Sequence, residues 1–291
     1  GQGPGEYKTL HSWVVDEKLS RIYLGPGRAN KVLVYDLKGN YLPDEVIRFG
    51  EIVHKSQIWV DYDKKNVVVV TLPFSANVNS NFAISKNVCW VQNREGDIVH
   101  RIPVNHYGLI GDYSNGLVAC RNVDAISFSI FEDPMLRTRP DTLYHYDAVK
   151  NIITPCFTID HVVSENQSAC TVLYETSRSY WAQVTLYPNN LSSSVSSVRL
   201  PAFNVCVSKK DGNVRRIDRF TDPLLGLSHL FLMMNNGYIC ISYDPLELMD
   251  ALDKVLTQTD LEPDVRKRAT DLRNSLHEND NDILIIGKLK Q

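Results

Sequence analysis

The chain has 291 residues, 43% of them hydrophobic, with 31 basic against 34 acidic side chains and a formal charge of −3. That is enough apolar material for a large core, in one big all-β domain or two ordinary ones. The near-balanced charge gives no field that would gather nucleic acid or anionic lipid, and runs such as 67–72 and 230–234 fall far short of the roughly 20 apolar residues that span a bilayer.

In chain order, the first residues lack a basic stretch followed by an apolar one, so a signal peptide is expected to be absent or to lie outside this sequence. Two segments then align: "WVVDEKLSRIYL" from Trp13 and "WVDYDKKNVVVV" from Trp59 share Trp-Val, an acidic, Lys-containing turn and an apolar strand. A spacing of about 45 residues marks a repeat architecture. After the first comes "KVLVYDLKGNYL" (31–42), an alternating apolar run with a polar turn at Asp36 to Asn40 and a second run beginning at once. Comparable hairpins are predicted in 87–102, turning at Asn93 to Gly96, and in 142–159, turning at Asp147 to Asn151. A less regular fourth is predicted in 180–200. Two-residue alternation with Gly, Asn and Asp at the turns is the pattern of short antiparallel strands.

Four-stranded units recurring at this spacing suit an all-β fold, a β-propeller, in which each small sheet packs face to face on the next. One region departs from it. In "DPLELMDALDKVL", Asp244 is placed as an N-cap, Pro245 at the first helical position and Glu247 three residues after the cap, a capping box. Met249, Leu252 and Leu256 share a face, and a second helix after Pro263 carries Val265, Ala269, Leu272 and Leu276 as its stripe. Both stripes are expected to pack on the propeller. Residues 1–291 thus read as a single propeller domain with a helical insertion over 245–278 and a closing strand over 282–290. The six cysteines, 89, 120, 156, 170, 206 and 240, sit in apolar strand-like runs without CxxC spacing, as buried free thiols do, with one disulfide pair left open.

The order of several motifs carries a resemblance. "GQGPGEY" (1–7), the Ile-Tyr strand and Tyr-Asp-x-x-Gly hairpin that follow, "DTLYHYDAVKNIITPCFTID" (141–160) and "HENDNDILIIGKLK" (277–290) resemble the six-bladed β-propeller family of bacterial envelope lipoproteins, which are NHL/TolB-like. In that family a complete blade precedes the GxGPGEY turn, and the blades readable here number about five. Asp282 stands where the family commonly has proline, and Gly287 where an aromatic is usual. The resemblance implies an exported protein of the periplasm or outer-membrane surface, lipid-anchored in its full-length form, with no generally established reaction.

Few residues suggest chemistry. The eight histidines form neither HxH nor HExxH, so no zinc motif exists. "DYDKKN" (61–66) and "ENDND" (278–282) are rich in oxygen ligands that calcium favours, but lack the glycine and distal Glu of an EF-hand; no cofactor is expected. No G-x-S-x-G occurs, and "GPGRAN" (25–30) lacks the Lys-Ser/Thr and helix of a phosphate loop. The long connections 73–86 and 132–141 are the better candidates, because long loops on rigid scaffolds often carry function. Phe74 and Phe82 offer rings to stack on a sugar, and Arg137 and Arg139 guanidinium groups to grip a carboxylate or phosphate. The competing expectation is that these loops cover blade edges. The function expected is a non-catalytic envelope binding or assembly propeller for a glycan, peptide or partner protein. The alternative is a propeller hydrolase or lyase acting on carbohydrate or a lactone through a polar or metal site at the central channel.

Overall fold

The structure, a computed structural model of the chain, describes residues 3–7, 10–26, 29–53, 55–61, 66–77, 84–111, 115–132, 139–160, 166–188, 200–235 and 237–289. The fold is an all-β propeller whose sheets follow one another along the chain. The first sheet is β1 (Leu10–Asp16), β2 (Arg21–Pro26), β3 (Ala29–Asp36) and β4 (Ile47–Val53), in that order. The second takes β5 (Ser56–Asp61) and β6 (Asn66–Thr71), passes over β7 (Phe74–Asn77), and continues with β8 (Asn87–Gln92) and β9 (Ile98–Pro103). Strand β7 instead pairs in parallel with β10 (Leu109–Gly111). The third sheet is β11 (Gly116–Cys120), β12 (Ile126–Phe131), β13 (Asp141–Asp147) and β14 (Ile152–Ile159); the fourth is β15 (Gln167–Glu175), β16 (Ser179–Pro188), β17 (Ala202–Ser208) and β18 (Val214–Ile217). After the short pair β19 (Phe220–Thr221) and β20 (Ser228–His229) comes a three-stranded sheet, β21 (Met233–Asn235), β22 (Tyr238–Tyr243) and β23 (Ile283–Lys288). Helices α1 (Pro245–Leu256) and α2 (Pro263–Ser275) lie between its last two strands in sequence.

The chain divides into two compact units: Gly1–Ala119 with Ala125–Val162, and Cys120–Asp124 with Val163–Gln291. In the first unit β6 shows why the blades stack. Val67 and Val69 enter a cluster with Tyr23, Val32 and Ile47 of the first sheet, whereas Val68 and Val70 enter a second cluster with Phe128, Ile130 and Tyr146 of the third. A strand covered on both faces has no polar side to alternate with, so its sequence reads as an unbroken valine run. In the second unit, α1 and α2 pack Leu248, Leu252, Val255 and Ala269 on Leu225 and Leu227, with Tyr243, Ile283 and Ile285 of the last sheet alongside.

The hairpin turns form as their side chains require. Asp36 Oδ1 accepts the Lys38 and Asn40 N–H groups, Asn93 Oδ1 accepts that of Asp97, and Asp147 Oδ1 accepts those of Val149 and Lys150. Gly39 and Gly96 take the positive φ that closes the first two. The structure corrects three expectations. The return strand after Asn40 does not begin at once: only Tyr41 bridges back to Tyr35, then Pro43–Glu45 form a 3-10 turn before β4. The fourth outer hairpin is β17–β18 over 202–217, because β16 pairs onward with β17 across the segment 189–201. In place of the capping box, which would engage Glu247 N–H, Asp244 Oδ1 caps the helix through Leu246 N–H at 2.9 Å. All six cysteines lie on strands as free thiols.

Candidate functional site

In the second unit, two turns at one end of the fourth sheet are tied together. The β15–β16 turn closes through Thr176 N–H to Ser179 O at 2.9 Å, and Lys209 N–H of the β17–β18 turn donates to Arg178 O at 2.9 Å. The second turn closes through Gly212 N–H and Asn213 O, both on Ser208, with Gly212 at φ 69°. Beneath them Glu175, whose side chain is only 2% exposed, pairs with the Lys209 ammonium, which also lies 4.8 Å over the Tyr180 ring. A buried carboxylate with a cation on it fixes where the lysine stem runs.

Between the turns is an open pocket of about 800 Å³. Its cationic lining comes from Arg178, Lys209, Lys210 and Arg215. Serines 177, 179 and 208, Cys206 and Asn213 supply small polar groups. Register explains the convergence: Ser179 lies opposite Ser208, and Cys206 opposite Arg215, so these side chains share one face of the sheet. Lys210 and Arg215 are exposed, and among the described residues neither has an ion-pair partner. Asp211 is the one acid of the lining. Hydrogen bonds from the Ser208 hydroxyl and from Asn213 hold its carboxyl below the usual range, so it is an ionised acceptor at neutral pH. The arrangement attracts an anion and offers neutral donors and acceptors around it.

The residues predicted from sequence lie elsewhere. Phe74 is fully buried in the cluster shared by the second and third sheets, which corrects the expectation of a stacking face: a packed core ring has no side open to a sugar. Arg139 is turned inward, its Nε 3.0 Å from buried Glu132 and its Nη groups donating to His106 O and Tyr107 O. That use leaves the guanidinium engaged with its own chain, and residues 133–138 of the connection lie outside the described residues. Phe82 and Arg137 lie outside the described residues, as do Tyr62–Lys65 of the first oxygen-rich run. In the second run, Asp280 accepts from His277 N–H and Asp282 from the Ser242 hydroxyl, both exposed.

One buried polar chain was not anticipated. Tyr243 Oη is 3.1 Å from His229 Nδ1, and His229 Nε2 is 3.4 Å from Asp222 Oδ2. Asp222 also accepts the N–H groups of Leu224, Leu225 and Leu227. Burial pushes the Tyr243 phenol up, away from ionisation. The His229 side chain is 4% exposed, so this chain braces the 222–229 loop against β22 and presents no open face to a substrate.

Residues 1–106 match a family model described as a 6-bladed beta-propeller. Over its full length the chain is similar to the crystal structure of a protein described as exported from Bacteroides fragilis NCTC 9343, at 15% identity and a TM-score of 0.55, covering 80% of that chain. It is more distantly similar to an endo-arabinase from Bacteroides thetaiotaomicron VPI-5482, at 11% identity and a TM-score of 0.36, over 82% of this chain and 90% of that one. An acylaminoacyl peptidase from Pyrococcus horikoshii gives 11% identity and a TM-score of 0.39, over 81% of this chain and 35% of that one. These likenesses bear on fold alone. No curated protein matches. No described helix is long and apolar enough to cross a membrane.

Proposed function

We propose that this chain is a non-catalytic binding propeller of the bacterial envelope, and that it holds an anionic ligand at the paired turns of its fourth sheet. The observation that carries the reading is the pocket between Ser177–Ser179 and Ser208–Arg215, where Lys210 and Arg215 form no ion pair among the described residues and cations outnumber the single acid, Asp211. Exposed cations on tightly hydrogen-bonded turns are placed before a ligand arrives, which lowers the ordering cost of binding. The Ser208 hydroxyl is held within its own turn, between Lys210 N–H and the Asp211 carboxylate, so that contact closes the turn. Binding therefore accounts for its chemistry better than the hydrolase or lyase alternative. An envelope location is consistent with the similarity to a protein described as exported.

A thermal-shift screen of acidic and neutral saccharides and acidic peptides, with and without calcium, tests the reading. The expected result is a calcium-independent rise in melting temperature with anionic compounds that weakens as salt is added. Turnover of any compound, or a shift produced by calcium alone, would overturn it.

A further inference from the structure

Strand β23 differs from the other outer strands in two respects. Among the described residues, the first four sheets have four strands each, whereas β23 ends its sheet as the third. The outer strands of the four-stranded sheets carry charge or proline inside them: Arg48 and Glu51 in β4, Arg101 in β9, Pro155 in β14 and Arg215 in β18. Such residues keep an edge from pairing with another chain. β23, "ILIIGK", has none before its last position, Lys288. Leu284 and Ile286 are 57% and 63% exposed, and with Met233 at 64% they leave one face of the sheet apolar and uncovered. We propose that this edge pairs with β23 of a second copy of the chain, so that each copy supplies the fourth strand of the other's last sheet.

The hydrogen-bonding pattern fixes which groups face outward. Leu289 N–H donates to Gly237 O at 2.8 Å, and the ladder between β22 and β23 runs without a register shift. Peptide groups alternate sides along a strand, so those of 283, 285 and 287 point to β22, while those of Leu284, Ile286 and Lys288 point to the open edge. The side chains of these three residues share the uncovered face. Asp282 lies on it too, because its carboxylate accepts from the hydroxyl of Ser242, the residue opposite Leu284. An antiparallel pairing of two copies centred on Ile285 sets Leu284 opposite Ile286 and Asp282 opposite Lys288, each pair occurring twice by the two-fold symmetry. In that register the outward peptide groups of 284 and 286 also meet and exchange hydrogen bonds. The strand is therefore complementary to itself in backbone, apolar surface and charge. A parallel pairing in register would instead set Asp282 on Asp282 and Lys288 on Lys288, which repel. Nothing on the opposite face stands in the way: Ile283 and Ile285 pack into the helical cluster, and a Cβ on Gly287 would meet no atom within 4 Å. A contact of this size belongs with weak, concentration-dependent dimers.

The test is sedimentation velocity of the chain from about 1 to 200 µM at low salt, with amide hydrogen exchange read at both ends of the range. A monomer-to-dimer transition is expected, with exchange at Leu284 and Ile286 slowed about tenfold at the upper concentration. Asp282→Lys and Lys288→Asp each turn two attractive pairs into repulsive ones and are each expected to raise the dissociation constant about tenfold, whereas the double reversal restores the parent value. Ile286→Pro removes an N–H that faces away from β22, so it is expected to abolish the dimer without unfolding the sheet; circular dichroism and the melting temperature of each variant check that the fold is kept. A monomer at every concentration would overturn the proposal. So would protection of Leu284 and Ile286 that is the same at all concentrations, which would put another strand of the same chain on the edge. A dimer indifferent to the proline and to both charge reversals would lie on another face, and a double reversal no better than the single ones would overturn the register centred on Ile285.

Discussion

Gln92 shows how much of this fold hangs on single polar side chains. It has no exposed surface, and its amide uses its capacity on the join between the first two sheets. Its Oε1 accepts Trp90 Nε1–H at 2.7 Å and Gly50 N–H at 3.2 Å, while its Nε2 donates to Arg48 O and Asn93 O. Gln92→Leu fills the volume but strips the partners from buried donors and acceptors, each costing about 1–3 kcal/mol. Urea denaturation is expected to show a loss of roughly 3 kcal/mol; a change below about 1 kcal/mol would mean water replaces the amide. Lys209 makes the parallel case at the candidate site. Lys209→Met removes the cation facing buried Glu175 and is expected to cost on the order of 2 kcal/mol. Adding Glu175→Gln should recover much of that, and a double-mutant cycle measures the coupling. Such roles are barely legible in a sequence. "WVQ" and "SKK" show a polar residue after an apolar run, but not whether it faces water or a neighbouring sheet.

At the scale of elements, far more could be read in advance. The Asp and Asn residues that open the turns at 36, 93 and 147 bind backbone N–H groups a few positions on, and that chemistry is local, so sequence reveals it. The fourth outer hairpin lies later in the chain than its composition suggests, because the Ser-rich segment 191–197 has turn composition while the actual turn, "SKKDGN", reads as a charge run. Its Ser208 and Gly212 do the work that Asp36 and Gly39 do in the first sheet. Helix α1 was legible for the same reason of locality. Asp244→Ala, which removes the acceptor for Leu246 N–H, is expected to cost about 1 kcal/mol by thermal melting. The loop beside it carries a pH signature. Burial works against ionisation of Asp222, but His229 and the backbone N–H groups of residues 224, 225 and 227 outweigh it and hold the carboxyl below its usual value. A depressed folded-state value gives stability that is present above the unfolded carboxylate range, near pH 4, and is lost as pH falls through the folded value. Denaturation midpoints measured from pH 6 to pH 2.5 should fall less steeply in Asp222→Asn than in the parent, from a lower starting point. Equal slopes would remove Asp222 from the acid response.

For the whole molecule, averages conceal what matters. A net charge of −3 spread over 291 residues says nothing of a turn that concentrates lysine and arginine within a few positions, so bulk composition pointed away from the cationic pocket while the local run "KKDGNVRR" contained it. The propeller itself was legible because repetition amplifies a weak signal: one alternating hairpin is ambiguous, and several with the same turn chemistry are not. What repetition could not convey is the division into two units, since packing between sheets is not written in any one hairpin. That division has a consequence for unfolding. Strand β23 pairs along β22 from Tyr238↔Lys288 to Tyr243↔Ile283, and its Ile283 and Ile285 pack into the cluster that holds α1 and α2. Both contacts lie inside the second unit, which also contains Trp181, while Trp13, Trp59 and Trp90 belong to the first. Truncation after Asp282 therefore removes a strand and part of an apolar cluster from one unit alone. Hydrogen exchange is expected to speed up by at least about tenfold across α1, α2 and β22, and to stay unchanged at Val67–Val70, where the two clusters of the first unit meet. Tryptophan fluorescence of a variant keeping only Trp181 should report a lowered midpoint, and one keeping only Trp90 the parent midpoint. Loss of protection at Val67–Val70 to the same degree would show that the two units unfold as one.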